Sequence, residues 1–335
     1  MRRRVHFAPA RGTIGRGRAD RTPAYKKDRL VRRAILLLAL CQVVWSFGGV
    51  IIRWEPLPPS TLMATALLIS GSLLALLTPR HRLRLPSWRL RAEALGFGVA
   101  NGATNLLMAT AVTMAGIGNA SFAFASLPLW MVLVARPLLG DRVPSRAIPA
   151  LAIGAAGIGL LLLAGRGSAS GDNVLGGLVI ALVAAVIGSV GALAGRRLVP
   201  TVGVDATAAW TMLVGGLVLV PFADWRALGN LVWWVVPVLL VWVGAHYILA
   251  PVTYNRASVT APAFVIAVAT FVNPALSPVW GAIFYGERVT ILAVGGLALA
   301  LSANVLLLLT LRGARATDSA TELEAEATPA RAMAP

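Results

Sequence analysis

Between residues 35 and 311 the chain alternates long apolar runs with short polar breaks, and the breaks recur at the spacing of membrane-spanning helices. A bilayer core about 30 Å thick takes roughly 20 apolar helical residues. The first run, residues 35–52, stops at Arg53 and the turn-forming Glu55-Pro56-Leu57-Pro58-Pro59; the second, 61–77, stops at Thr78-Pro79-Arg80. Residues 94–135 carry no charge and are long enough for two helices, which the stretch Gly116-Ile117-Gly118-Asn119 divides. A fifth run covers 147–165, and beyond the Gly/Ser-rich link 166–173 come 174–195, 206–222, 231–254, 259–285 and 290–311. The pattern predicts an all-α integral membrane protein of ten transmembrane helices.

Composition points the same way. The chain is 58% hydrophobic and only 13% charged, with a mean hydropathy of +0.78, whereas soluble domains carry roughly 25% charged residues. A length of 335 residues would suit two soluble domains, but their cores could not hide this much apolar sequence.

The net charge of +17 raises nucleic-acid binding, and its distribution argues against it. Residues 1–33 hold twelve Lys/Arg against Asp20 and Asp28; elsewhere the charge sits in short links, with no basic face on a soluble unit. That basic tail has no apolar segment of the kind found in cleaved signals, so the first span is expected to act as its own insertion signal. With the amino terminus inside, alternation places 26 of the 30 Lys/Arg on inside segments and only Arg53, Arg166, Arg226 and Arg288 outside. This positive-inside bias predicts a multi-pass protein of the cytoplasmic (plasma, or cell inner) membrane with both termini cytoplasmic. The single cysteine, Cys41, can form neither an internal disulfide nor a Cys-based metal site.

The chain also repeats itself. A shift of 146 residues superposes Gly140-Asp141-Arg142-Val143 on Gly286-Glu287-Arg288-Val289 and Pro128 on Pro274; a shift of 143 pairs Ser46 with Ser189, Gly48 with Gly191 and Arg53 with Arg196. Five spans per copy is an odd number, so the second copy enters from the opposite face. Two inverted five-helix repeats are a transporter signature. These residues, with Trp45-Ser46-Phe47-Gly48-Gly49 leading to Arg53, resemble the EamA-type family of the drug/metabolite transporter superfamily over residues 34–311. The resemblance implies ten helices in two repeats and, as its usual direction, efflux. The second span lacks an arginine that members often carry, and Asp141 stands where Glu is commoner, so no basic substrate contact is placed on the second span.

Candidate chemistry is sparse. No phosphate-cradling GxxxxGK[ST] occurs, and Gly98-x-x-x-Gly102 reads as close helix packing. Core carboxylates lie at or near span ends, so no mid-membrane proton or sodium relay is visible. Asp141 and Glu287, the helix-end pair of the repeat motif, can meet the dipole at the start of the next helix or pair with the adjacent arginine, or serve gating. Pro128 and Pro274 break the helical ladder, either as plain kinks or as hinges that expose backbone. Arg136 is a snorkelling anchor or a cationic wall at the inner mouth that attracts anionic substrates.

A candidate substrate cavity collects Asn101, Asn105, Trp130, His246, Tyr247, Asn273 and Trp280. Amides are costly against lipid and want a polar partner or a wet cavity. Asn101 and Asn105 share one helix face, expected to meet the fourth, eighth and ninth spans.

The expected function is secondary transport of small metabolites or drugs, outward on the strength of the resemblance, by alternating access. No cofactor or metal is expected; the partners are the bilayer and a small-molecule substrate, with a homodimer left open. The rival readings are a scaffold or receptor using the basic tail and, less favoured, a membrane-embedded enzyme, which would need a clustered His/Asp/Glu or Ser/His constellation. The expected organisation is a basic disordered tail at 1–33, repeats at 34–165 and 174–311, and an acidic disordered tail at 312–335.

Overall fold

The computed structural model describes residues 24–54, 57–139, 147–166, 173–260, 269, 272–307 and 309. All regular structure among them is helical: α1 (Ala24–Trp54), α2 (Pro59–Leu77), the short α3 (Arg80–Leu83), α4 (Trp88–Ala115), α5 (Ile117–Phe124), α6 (Leu127–Leu139), α7 (Ile148–Arg166), α8 (Val174–Val202) and α9 (Val204–Leu219). There follow α10 (Val235–Val243), a π-helical turn over Gly244–Leu249, α11 (Ala250–Thr260), α12 (Val272–Tyr285) and α13 (Ile291–Leu307). Seven stretches among the described residues are long and apolar enough to cross a bilayer, and α7 and α13 are shorter apolar helices.

The boundaries follow local chemistry. Helix α2 opens with a proline in its first turn, where the missing N–H costs nothing. The Ser87 hydroxyl accepts from the Leu90 N–H at the start of α4, and the Asn173 side chain accepts from Gly176 N–H at the start of α8. Gly116 ends α4 at φ +88° and ψ 165°, a conformation open essentially to glycine alone, which turns the chain at once into α5. Residues 24–33, expected as part of a disordered tail, are helical and continue α1; half of them are Lys or Arg, both good helix formers, and they adjoin a spanning segment.

Helix α4 packs along α8 and α9, and α2 lies on α9; α1 lies against α11 and α12, α5 and α6 against α8, and α5 against α12. Small residues set close crossings. A Cβ on Gly102 would stand 2.6 Å from the carbonyl oxygen of Gly215, and one on Gly98 would collide with Val214, so this glycine pair seats α4 on α9. The outward surface is apolar, with Leu36, Leu76 and Ile291 largely exposed, as a lipid-facing surface requires. Two buried serines bond back to nearby carbonyls: Ser70 donates to Ala66 one turn earlier on α2, and Ser126, in the turn after α5, to Ala123. Cys41 is buried.

Proline interrupts the fourth span more sharply than a kink. Helix α5 ends at Phe124, residues 125–126 form a turn, and Pro128 occupies the first turn of α6. Pro274 is buried in the first turn of α12, which also carries Pro278 inside the helix.

Candidate functional site

Two assemblies bring distant polar residues together. The first lies in the helix interior. On α4, the Asn105 amide donates to the Asn101 carbonyl at 2.8 Å and to its side-chain oxygen at 3.3 Å, so the pair shares one face. The Tyr247 hydroxyl, from the π-helical turn, donates to Oδ1 of Asn105 at 3.1 Å and lies 3.3 Å from the sulfur of Met63 on α2. The rings of His246 and Tyr247 are 4.7 Å apart, and Trp242 stands 5.4 Å from each.

A π turn disturbs the usual carbonyl pairing and is often found at functional positions; here the His246 carbonyl accepts from the indole of Trp45 on α1 at 3.0 Å. Gly48 lets α1 reach this turn, since a Cβ there would stand 2.5 Å from Cε1 of His246. Among the described residues, the buried indole nitrogen of Trp242 and Nδ1 of His246 have no hydrogen-bond partner. Buried polar atoms are normally satisfied, so two orphans side by side mark a place where a polar ligand would be favoured.

The other expected cavity residues lie elsewhere. Trp280 donates to the Ser46 hydroxyl at 2.9 Å and meets Phe47 edge-on, forming an aromatic seam between α1 and α12. Trp130 donates to Ser126 at the foot of its own helix. Asn273 accepts from Ser277 one turn along α12. The Asn101/Asn105 face thus reaches the eighth span through Tyr247, while no described hydrogen bond ties it to Trp130, Asn273 or Trp280. Arg136 belongs to α6, its side chain outside the described residues, and Asp141 lies outside them altogether.

The second assembly closes one end of the bundle around Glu287. Helix α12 ends in a left-handed glycine cap: Gly286 has φ +63° and its N–H donates to the Ala282 carbonyl at 3.1 Å. The turn folds Glu287 back over the helix end, where its N–H donates to the Gly281 carbonyl. Its carboxylate accepts from the backbone N–H groups of Ile117, at 2.9 Å, and Gly118, at 3.2 Å, which open α5. It also forms an ion pair with Arg53 at the end of α1, and only 6% of its side chain is exposed.

The Arg53 guanidinium lies 4.4 Å from the centre of the Tyr285 ring, whose hydroxyl donates to the Val50 carbonyl at 2.8 Å. Glycine makes room: a Cβ on Gly281 would collide with the Glu287 carboxylate, and one on Gly116 would lie 2.8 Å from it. Glu287 therefore does meet a helix dipole and an arginine, but those of α5 and α1 rather than of the following helix and Arg288 as the sequence suggested. The reason is the glycine cap, which points the side chain back across the bundle.

Sequence reasoning singled out Arg53 and Glu287 separately and missed their pairing across 234 positions; it named Trp45 only as part of a motif, not as a partner of His246, and it missed Trp242 and Pro278. The expected topology held the one usable signal, since it put both charges on the same, charge-poor side. Pro278 has a packing role: a Cβ on Gly118 would meet its ring at 2.8 Å.

Long apolar helices, an apolar outer surface and an interior joined by neutral polar groups define a multi-span, all-α membrane protein. Within that class, residues 32–163 and 175–309 match the model of the EamA-like transporter family. The chain belongs to this family, a branch of the drug/metabolite transporters, and is a transporter-family protein rather than an enzyme. Among the described residues, no group of three His, Cys, Asp or Glu is placed to hold a metal ion. No curated protein matches the sequence. Eighteen chains of solved structures are similar. One, described only as "Crystal structure of protein", is 21% identical with a TM-score of 0.53 over 84% of this chain and 98% of its own, a likeness of fold alone.

Proposed function

We propose that the protein is a secondary transporter that moves small metabolites or drugs across the cytoplasmic membrane by alternating access, with efflux as its working direction. It does so with ten spans in two inverted five-helix halves and with both termini in the cytoplasm. The α5–α6 pair counts as one span in this scheme, as does the run from α10 to α11.

The observation that carries the reading is the closure at Glu287. A carboxylate from the second half is held by Arg53 and the α5 N–H groups of the first, so the halves are joined at one end by contacts that can open and re-form. The positive-inside bias makes this the outer end. Efflux then requires the Glu287 closure to part after substrate has entered from the cytoplasm. The Asn101–Asn105–Tyr247–His246 group, also shared between the halves, offers neutral hydrogen bonding and aromatic surface to the substrate.

Packing supports the repeat. Exchange each helix with its counterpart five spans on, and α4 on α8 becomes α11 on α1, α12 on α1 becomes α5 and α6 on α8, while α2 on α9 and α5 on α12 map onto themselves. The paired serines behave alike: Ser46 donates to the Val43 carbonyl at 2.7 Å and Ser189 to that of Val186 at 2.6 Å. The family match, too, falls in two stretches. A molecule of this symmetry reaches its opposite-facing state when the halves trade conformations.

The test is metabolite profiling of medium and cells, comparing the intact protein with Asn101→Ala/Asn105→Ala at equal membrane abundance. A compound enriched outside and depleted inside only with the intact protein is expected. Accumulation inside would reverse the direction, and identical profiles across several media would remove the transport reading.

A further inference from the structure

At the end of the bundle opposite Glu287, a groove of about 490 Å³ is lined by Arg84, Leu85, Pro86, Arg91 and Trp210. We propose that it holds the phosphate of an anionic phospholipid, with Arg84 and Arg91 as the recognising residues. This goes beyond the transport reading and does not depend on it.

The groove is built rather than incidental. The link between α2 and α4 crosses the start of α9, and two side chains fix it there. The Trp210 indole donates to the Leu83 carbonyl at 3.0 Å, and Nε of Arg91 donates to the Leu85 carbonyl at 3.3 Å. The second bond holds the Arg91 side chain against the link at the edge of the groove. Beneath lies an apolar cluster of Leu85, Ala94, Leu198, Val202 and Ala206, flanked by Phe97 and Trp210. The site therefore sets two arginines beside an apolar floor, the chemistry of an amphiphile with a charged head.

Its surroundings point to a lipid rather than a soluble phosphate. The chain entering the groove carries Leu76 and Leu77, 82% and 71% exposed, as lipid-facing side chains. Trp88 beyond it is also largely exposed, with the Arg89 guanidinium 5.8 Å from its ring centre, an interfacial arrangement of aromatic and cation. Residues 78–93 carry Arg80, Arg82, Arg84, Arg89 and Arg91. Glu93 is the stretch's one carboxylate and does not line the groove. Basic pockets between helices at the cytoplasmic surface suit anionic head groups, and a planar guanidinium matches phosphate geometry.

The test uses the full chain purified in a neutral detergent, with lipid retention read by native mass spectrometry for phosphatidylglycerol against phosphatidylcholine. Preferential retention of phosphatidylglycerol is expected, weakened about fivefold for each arginine removed in Arg84→Gln/Arg91→Gln. Arg80→Gln/Arg82→Gln, which removes the same charge from the same link, is expected to keep most of the preference. Equal loss in both pairs would mean diffuse attraction and overturn the site, as would an unchanged preference in Arg84→Gln/Arg91→Gln. Millimolar inorganic phosphate should leave the lipid in place; displacement would assign the groove to a soluble phosphate compound and overturn the proposal. If the glutamine pair does not fold, Arg84→Lys/Arg91→Lys keeps the charge. A drop below the parent is expected there, and full retention would contradict guanidinium recognition.

Discussion

The closure at Glu287 and the cluster at Tyr247 both tie residues before position 166 to residues after position 173, yet they are made of different material. At the closure, formal charges are matched and nearly dry: Glu287 has an arginine and two helix N–H groups, and Arg53 has the carboxylate and a tyrosine ring. In the cluster the contacts are neutral, and Trp242 and His246 each keep a buried polar atom that has no partner among the described residues. Charge-assisted bonds are roughly twice as strong as neutral ones, and buried charges must stay paired. The contrast shows that among the described residues this buried ion pair and its charge-assisted bonds sit at a helix end. The Tyr247 cluster is left with weaker, neutral contacts, which suits the substrate site proposed for it.

The largest effect is expected from Glu287→Ala, which leaves Arg53 and two helix N–H groups without their anion. It is expected to cost about 3–5 kcal/mol, measured as unfolding in detergent. Reversing the pair, Arg53→Glu with Glu287→Arg, is expected not to recover the loss, because the α5 N–H groups need an anion at 287; full recovery would show that they contribute nothing.

Next in size is Gly116→Ala. It forces a side chain into the glycine-only conformation beside the carboxylate and should cost about 1–3 kcal/mol by the same measurement. Tyr247→Phe probes the cluster. Loss of one neutral hydrogen bond to Asn105 should cost only about 1 kcal/mol of stability while changing the substrate concentration dependence of transport. A stability loss as large as that of Glu287→Ala would erase the contrast. The smallest effect is expected from deleting residues 1–23, which should leave flux unchanged at equal membrane abundance; loss of flux would favour a role for the basic tail in transport itself.

Much of this architecture was legible because apolar length and breakers are local signals. The Gly116 break between α4 and α5, the stop at Thr78-Pro79 and the start of α8 after the 166–173 link all follow from a few adjacent residues. The Asn101/Asn105 alignment was legible for the same reason, being one turn of helix. What could not be read was partnership across the bundle. Nothing near Glu287 in sequence announces α5 and Arg53, and nothing near His246 announces that a π turn would present its carbonyl to Trp45. Trp130, Asn273 and Trp280 illustrate the converse. Their polar groups suggested a shared cavity, but each found a serine on its own or a neighbouring helix, a choice fixed by side-chain direction rather than by composition.

The most direct test of alternating access is the reactivity of a cysteine at position 105, Asn105→Cys in a Cys41→Ser background, toward a membrane-impermeant thiol reagent. The reagent is applied separately to right-side-out and inside-out vesicles. Labelling from both sides is expected, with Glu287→Gln raising the rate from the outside as the closure loosens. Labelling from one side alone, unchanged by that substitution, or no labelling from either side, would contradict alternating access.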